Sequence, residues 1–318
     1  SHLGEVLQIT PRVIAHDLHP GYLSTQWAQR QEGVRRVGVQ HHHAHLVSVM
    51  AENGVAGETI GVILDGTGLG IDSTIWGGEI LVGDADGFER RSWLEPVPMP
   101  GGEAAIRQPW RMAVSWLWQA FGDDCRRLNL PLMDRVGPDR AGFLLQIINR
   151  GLNSPRTSSC GRLFDAVSAL LGLCHEVTYE AQAAVALEMA ALTAQKENYD
   201  LVGLSSNRGA LSVTPLIEAV VRDVLKGEPT GRIASRFHHT LADLLVASAE
   251  AAREDSGINR VGLSGGVYQN KLFFEHMTAE LTARGFEVLT HSLVPTNDGG
   301  LALGQAVIAA ARCRAKSE

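Results

Sequence analysis

Thr59-Ile60-Gly61-Val62-Ile63-Leu64-Asp65-Gly66-Thr67-Gly68-Leu69-Gly70 is an aliphatic, largely β-branched run that ends in a carboxylate and glycines at alternate positions. Ile60, Val62, Ile63 and Leu64 read as a buried strand running straight into Asp65, and after the glycine turn Thr74 to Val82 reads as its hairpin partner. Working outward, Val13 to His16 and Val37 to Val39 read as two further short strands. Trp110 to Phe121, Ala141 to Arg150, Arg162 to Leu173 and Glu180 to Gln195 carry apolar residues at three- and four-residue steps and predict a helical middle. Beyond it, Leu201 to Leu204 and Leu211 to Val213 predict strands, Ile233 to Arg253 a long amphipathic helix, and Arg260 to Leu263 and Glu287 to Thr290 strands again. Gly300 to Arg312 closes the chain as an apolar helix. The class is α/β. Residues 1–100 are expected to form an amino-terminal α/β lobe, 101–200 a largely helical linking region, and 201–318 a carboxyl-terminal α/β lobe. Glycine-rich loops would face a cleft between them, at the carboxyl ends of strands.

Composition bounds the partners. Twenty-eight basic against thirty-five acidic side chains leave a net charge of -7 over 318 residues, with 20% charged and 45% hydrophobic content. Such a balance gives no electrostatic footprint for a phosphate backbone, so nucleic acid is a poor partner. The apolar stretches Ala183 to Ala194 and Gly300 to Ala311 contain Glu188 and Gln305, and fall short of the roughly 18 apolar residues of a membrane helix. Cys125, Cys160, Cys174 and Cys313 lack CxxC spacing and read as buried thiols of a protein in the reducing cytoplasm.

Four loops carry candidate chemistry. In Gln40-His41-His42-His43-Ala44-His45, a helix starting after the strand Val37 to Val39 would put His41 and His45 one turn apart on one face, where two imidazoles can grip one metal ion. Asp65-Gly66-Thr67-Gly68 ends a strand with a carboxylate that can bind a cation and glycines that admit phosphate; a plain hairpin turn has the same appearance. Ser264-Gly265-Gly266-Val267-Tyr268-Gln269-Asn270 reads as strand, glycine pair and helix start, suited to nucleotide phosphates or ribose, or as an ordinary strand-to-helix turn; it is not a Walker loop. In Pro295-Thr296-Asn297-Asp298-Gly299-Gly300, Asp298 can cap the following helix or add an oxygen to the histidines' metal, two His plus carboxylates being a common set for zinc or iron(II).

Taken with Ala15-His16-Asp17-Leu18-His19-Pro20, Trp76-Gly77-Gly78-Glu79, Pro100-Gly101-Gly102 and Ser159-Cys160-Gly161-Arg162-Leu163-Phe164-Asp165-Ala166, these strings lie along nearly the whole chain. Jointly they resemble the carboxyl-terminal module of the HypF family, the carbamoyltransferases of NiFe-hydrogenase maturation. That module is similar to the TsaD family of tRNA threonylcarbamoyl transferases and, with it, to actin, sugar kinases and chaperone ATPases. The resemblance implies a two-lobed actin-like ATPase fold on ribonuclease-H-like sheets, with nucleotide and metal in the inter-lobe cleft.

It further implies that His41, His45 and Asp298 bind the metal (zinc or iron, with magnesium accompanying the nucleotide), and that Asp65 is a further ligand where TsaD proteins have a tyrosine. TsaD reads Thr-Asp-Asn where this chain reads Thr296-Asn297-Asp298, a one-residue offset in the acidic ligand. Gly66, Gly68, Gly161, Asp165, Gly265, Gly266, Asn270 and Asn297 would surround ATP or carbamoyl-adenylate. The implied reaction is transfer of the carbamoyl group from carbamoyl-adenylate to the carboxyl-terminal cysteine of HypE, with the adenylate made by the YrdC-like domain upstream in HypF; no motif of that domain is visible here. The superfamily's opening strand and glycine hairpin are expected ahead of Val13, where a junction near Glu5 would fit omitted sequence, and Ala181 stands where the family favours glycine. The alternatives are a TsaD-like tRNA modification enzyme and a non-catalytic nucleotide-binding docking module.

Overall fold

The computed structural model describes residues 2–201 and 208–314. Ten strands appear among them: β1 Val13–Asp17, β2 Arg35–Val39, β3 Thr59–Leu69, β4 Ile75–Gly83, β5 Phe88–Leu94, β6 Val97–Pro98, β7 Arg156–Thr157, β8 Gly209–Leu211, β9 Arg260–Ser264 and β10 Glu287–Leu289. β1 and β2 form a parallel pair, and the rest form one mixed sheet in the order β10-β9-β3-β4-β5-β8, with β7 beside β4 and β6 beside β7. The strand expected at Leu201 to Leu204 lies, beyond Leu201, outside the described residues.

β3 is the spine of the large sheet. It pairs antiparallel with β4 on one side and parallel with β9 on the other, Ile60 opposite Val82 and Val261. Buried on both sides, it has to be apolar throughout, which is why Ile60 to Leu64 show no alternation. The glycines after Asp65 do not make the expected turn. The strand continues through them to Leu69, with a register irregularity between Leu64 and Gly68, and the chain turns only at Gly70 to Thr74.

Because β3, β4 and β5 share a sheet with β9 and β10, the expected division of the chain at residues 100 and 200 does not divide the sheets. Strands from the supposed amino-terminal lobe hydrogen-bond to strands from the supposed carboxyl-terminal one. Local periodicity shows that a strand exists but says nothing of a partner some 200 positions away, and here that partner is parallel.

The His41–Glu52 helix connects β2 to β3 and lies between the two sheets. Gln40 caps it, its side chain accepting from the His43 N–H at 2.8 Å. Every residue from His41 to Met50 is buried, so the helix has apolar residues on all sides rather than one stripe. Leu46, Val47 and Val49 pack with Val37 and Val39 of β2, Ile63 of β3, and Leu301 and Ile308 of the Leu301–Arg314 helix. Burying a residue such as Leu46 contributes roughly 1.5–3 kcal/mol. On the other face of the large sheet, the Pro109–Phe121, Cys160–Leu170 and Thr230–Ser256 helices make the main core, where Phe164 meets Phe237 and Phe273 edge to face at 5.2 and 5.5 Å. Among the described residues no helix is long and apolar enough to cross a membrane.

The Trp76-Gly77-Gly78-Glu79 motif is a structural knot. Fully buried Glu79 pairs with Arg90 at 2.6 Å and accepts from Ser158 at 2.5 Å, while Arg90 stacks over the Trp76 and Trp93 rings. Cys125, Cys160 and Cys174 are buried free thiols.

Candidate functional site

Three chain segments converge at the carboxyl end of β3. The first turns of the His41–Glu52 helix bring His41 and His45 onto one face, with ring centroids 5.2 Å apart. β3 contributes Asp65, and the turn Asp298–Gly300, ahead of the last helix, contributes Asp298. His41 Nε2 lies 3.1 Å from Asp65 Oδ2 and 3.5 Å from Asp298 Oδ1; His45 Nε2 lies 3.7 and 3.5 Å from the same two oxygens. One ligand atom from each of the four residues falls within 4.8 Å of all the others.

The electrostatics follow from this crowding. Burial alone would make the His41 imidazolium unfavourable, yet hydrogen bonding to Asp17 and the close carboxylates of Asp298 and Asp65 hold its pKa well above the ordinary value; His45 is raised by the nearness of the Asp298 and Asp65 carboxylates, 3.5 and 3.7 Å from its Nε2. Burial alone would raise Asp65, but His41 and His45 hold it well below the usual carboxylate range, and the same pair holds Asp298 at about 2. Two imidazole nitrogens and two ionised carboxylates packed this closely suit zinc or iron(II). His45 Nε2 is buried without a hydrogen-bond partner among the described residues, which fits a nitrogen that coordinates an ion.

Outer groups orient the inner ones. Asp17 Oδ2, at the end of β1, lies 2.8 Å from His41 Nδ1, the arrangement that points Nε2 at a metal. Asp65 Oδ1 accepts from the Gly266 N–H at 3.0 Å, so the glycine-pair loop after β9 touches the cluster directly. Tyr22 sets its ring edge-on to His41 at 6.5 Å; its hydroxyl pKa is raised, by burial first and by the surrounding carboxylates. Asp17 and Tyr22 were not among the residues singled out as ligands. Asp17 stood in a quoted string, but nothing in its spacing ties it to His41 across 24 positions.

A cavity of about 290 Å³ opens beside the cluster, with Asp65 and Asp298 in its wall. Of the residues expected around a nucleotide, Gly66, Gly161, Asp165, Gly266 and Asn270 line it. Gly161 keeps this approach close: a Cβ there would stand 3.0 Å from Gly66 Cα and 3.3 Å from Asp65 O, and β3 would have to give by a few tenths of an ångström. Ser159 caps that helix by accepting from the Arg162 N–H and also donates to Asp65 O at 3.1 Å. Asp165 is buried and its carboxyl is raised by burial, countered by Arg162, whose Nε lies 2.8 Å away. Asn270 presents little free polarity: its Oδ1 accepts from Phe273 N–H as the cap of the Lys271–Ala283 helix, and its Nδ2 lies 3.0 Å from buried His238 Nε2.

Gly68, Gly265 and Asn297 are not on the cavity wall. Gly68 lies under the histidines, where a Cβ would stand 2.5 Å from the His42 ring and 2.8 Å from that of His41. Gly265, with φ +112°, lets β9 turn beneath Leu64, whose carbonyl oxygen would be 2.1 Å from a Cβ. Asn297 accepts from Gly299 N–H and donates to Gln269 Oε1 at 3.1 Å. The cavity's apolar side, Ile106, Phe164, Val177, Val185 and Val267, comes from four separate segments and had no common signal in the sequence.

A family model described as "HypF Kae1-like domain" matches residues 1–52, and one described as "Carbamoyltransferase, Kae1-like Domain, second subdomain" matches residues 61–305. The chain belongs to the HypF carbamoyltransferase family. It is 37% identical over 321 residues to the carbamoyltransferase HypF of Synechocystis sp., covering 96% of this chain and 41% of that protein. It is 40% identical over 311 residues to the HypF of Rhodobacter capsulatus, covering 95% and 40%. A carbamoyltransferase HypF homolog of Cupriavidus necator is also 40% identical, over 94% of this chain and 78% of its own length. The chain thus spans about two fifths of the first two HypF relatives. Its fold matches the crystal structure of full-length HypF in the phosphate- and nucleotide-bound form with a TM-score of 0.89 at 38% identity, covering 96% of this chain and 48% of that one. It matches T. kodakarensis HypF at 0.83 and 29% identity, covering 94% and 40%.

Proposed function

We propose that this HypF-family chain is the carbamoyl-transfer unit: it holds carbamoyl-adenylate, supplied by a YrdC-like domain, against a divalent metal and presents it to the carboxyl-terminal cysteine of HypE. The observation that carries the reading is the juxtaposition of the His41, His45, Asp65 and Asp298 cluster with the cavity, two ligands being shared between them. A HypF relative is described in a phosphate- and nucleotide-bound form, which supports the nucleotide part. The apolar side formed by Phe164, Val185 and Val267 suits an adenine base, Asp165 can accept from ribose hydroxyls, and the Gly266 N–H, donating to Asp65 Oδ1, holds that carboxylate at the end of the cavity next to the cluster, where phosphates would meet the metal.

When bound, the metal supplies neutralisation of phosphate charge and polarisation of the carbamoyl carbonyl. In the transfer, the HypE thiolate attacks the carbamoyl carbon, the bond from that carbon to the bridging oxygen breaks, and AMP departs with the oxygen, leaving an S-carbamoyl cysteine. The nucleophile has to come from the partner. Cys160, the cysteine nearest the cavity wall in sequence, is fully buried, and burial pushes its thiol far above the ordinary range.

Mixing the chain with carbamoyl-adenylate and HypE, then weighing HypE by mass spectrometry, tests the reading. One added carbamoyl group, lost in the His41→Ala/His45→Ala variant, supports transfer. Binding of HypE without the mass gain would leave docking alone, and salt-sensitive binding of tRNA would favour the TsaD-like alternative.

A further inference from the structure

A chain of buried polar groups runs away from the cluster. His45 Nδ1 lies 3.1 Å from Ser264 Oγ, Ser264 Oγ lies 2.9 Å from His291 Nε2, and His291 Nδ1 lies 2.7 Å from Glu52 Oε2. Glu52 ends the same helix that carries His45, two turns on, so the chain leaves the helix through β9 and the loop after β10 and returns to it. The other oxygen of Glu52 accepts from Ser292 N–H at 2.6 Å, from the Ser292 hydroxyl at 3.0 Å and from Leu293 N–H.

The directions of the links follow one from the next, starting at Glu52, which can only accept. Glu52 is ionised: burial would raise it, but the backbone N–H groups of Leu293 and Ser292, with His291, hold it at about 2. An ionised carboxylate has no proton to give, so His291 donates from Nδ1. Burial keeps the His291 ring neutral, its pKa lowered despite the pull of Glu52, so Nε2 bears a lone pair and accepts from the Ser264 hydroxyl. Of the acceptors within reach of that hydroxyl, His291 Nε2 is the nearest at 2.9 Å, against 3.1 Å for His45 Nδ1 and 3.5 Å for Thr296 O. With its proton given to His291, Ser264 Oγ accepts from His45 Nδ1–H. His45 Nε2 is then left as a bare lone pair, consistent with a buried nitrogen that has no hydrogen-bond partner.

We infer that Glu52, His291 and Ser264 are positioning residues that fix His45 in the tautomer whose Nε2 faces Asp65 and Asp298. For the metal, the inference rests on the reading of the cluster given above; the tautomer itself does not. Asp17 does the same for His41 with a single carboxylate. His45 sits too far from a carboxylate for a direct contact on that side, and the serine and second histidine bridge the distance.

The test uses the full chain in two arms. In the first, histidine side chains are labelled with nitrogen-15 and the chelator-treated chain is observed by NMR at a pH where the His45 ring is neutral. His45 is expected with a protonated Nδ1 and a pyridine-like Nε2, and Ser264→Ala and Glu52→Gln should each mix the two tautomers. In the second, zinc affinity is measured by competition with a chromophoric chelator, where each substitution should weaken binding about 10- to 100-fold, the usual effect of losing an outer partner. A pyridine-like Nδ1 in the unsubstituted chain overturns the inference, and so does a tautomer unchanged in both variants. Failure of the unsubstituted chain to bind zinc or iron(II) would instead count against the metal reading and leave the first arm standing. If Ser264→Ala does not fold, Glu52→Gln, altered near the surface, gives the same two readouts.

Discussion

Gly304 sits on the last helix where it crosses the His41–Glu52 helix. A Cβ built there would stand 1.9 Å from Ala44 O, 2.8 Å from Ala44 C and 2.9 Å from Ser48 N, all of them backbone atoms that cannot rotate away. Since van der Waals contact begins near roughly 3.5 Å, Gly304→Ala forces the two helices apart by roughly 1.5 Å. The cost of such overpacking is about 1–3 kcal/mol, and each kcal/mol lowers Tm by roughly 2–4 °C in a chain of this size. The same shift carries His41 and His45 away from Asp298, which belongs to the turn leading into the Gly304 helix, whereas metal ligands tolerate displacements of only about 0.2 Å. Thermal melting and zinc competition on the purified variant should show both losses together. Gly142→Ala is the control: it lies within the Pro138–Asn149 helix, a Cβ there meets nothing within 4 Å, and the change should stabilise by up to about 1 kcal/mol. A Gly304→Ala chain that melts like the parent and holds zinc equally well would refute the claim that this crossing sets the ligand geometry.

His41→Ala/His45→Ala should abolish zinc binding in competition titrations and sharply weaken nucleotide binding in calorimetry, since the cluster and the cavity share a wall; full metal occupancy of the double variant would refute the ligand assignment. The chelator-stripped chain should draw most stability from the cluster between about pH 4 and 6.5. His41 and His45 have raised pKa values, so their contribution is complete below the ordinary imidazole value and is lost as pH climbs through the raised ones. Asp65 and Asp298 are lowered, so theirs is lost only in acid, for Asp298 near 2. Saturating zinc should remove the alkaline decline, because the metal binds neutral imidazoles, and melts across pH with and without zinc check the sign. Ala181 holds φ +60° in the left-handed region at the start of the Gln182–Ala191 helix, so Ala181→Gly should raise stability by up to about 1 kcal/mol in denaturant titration.

That last position illustrates what the chain reveals before it is folded. Ala181 stands where the resemblance to HypF leads one to expect glycine, and the backbone there has the positive φ for which glycine is suited. That His41 and His45 share one face was legible for a similar reason, since it depends on one helical turn. Asp298 needed the fold: Thr296-Asn297-Asp298 offers a cap and a ligand in adjacent residues, and the structure gives capping to Asn297 and proximity to the histidines to Asp298. Gly68 carried the opposite message from the one read, because a glycine that admits phosphate and a glycine that admits a histidine ring leave the same letter. Asp17, Ser264, His291 and Glu52 act through tertiary hydrogen bonds between distant segments, and β5, rich in charge from Glu89 to Arg91, showed too little apolar alternation to be picked out.

The cluster joins His41 to an aspartate about 250 positions further on, and so nearly the whole length of the chain lies between two of its ligands. An ion seated there would act as a buckle, restricting the unfolded chain as a crosslink between the same positions would. Stripping it out would therefore slacken the molecule at large as well as silence one corner of it, and cargo-free chains should be the first that proteases find.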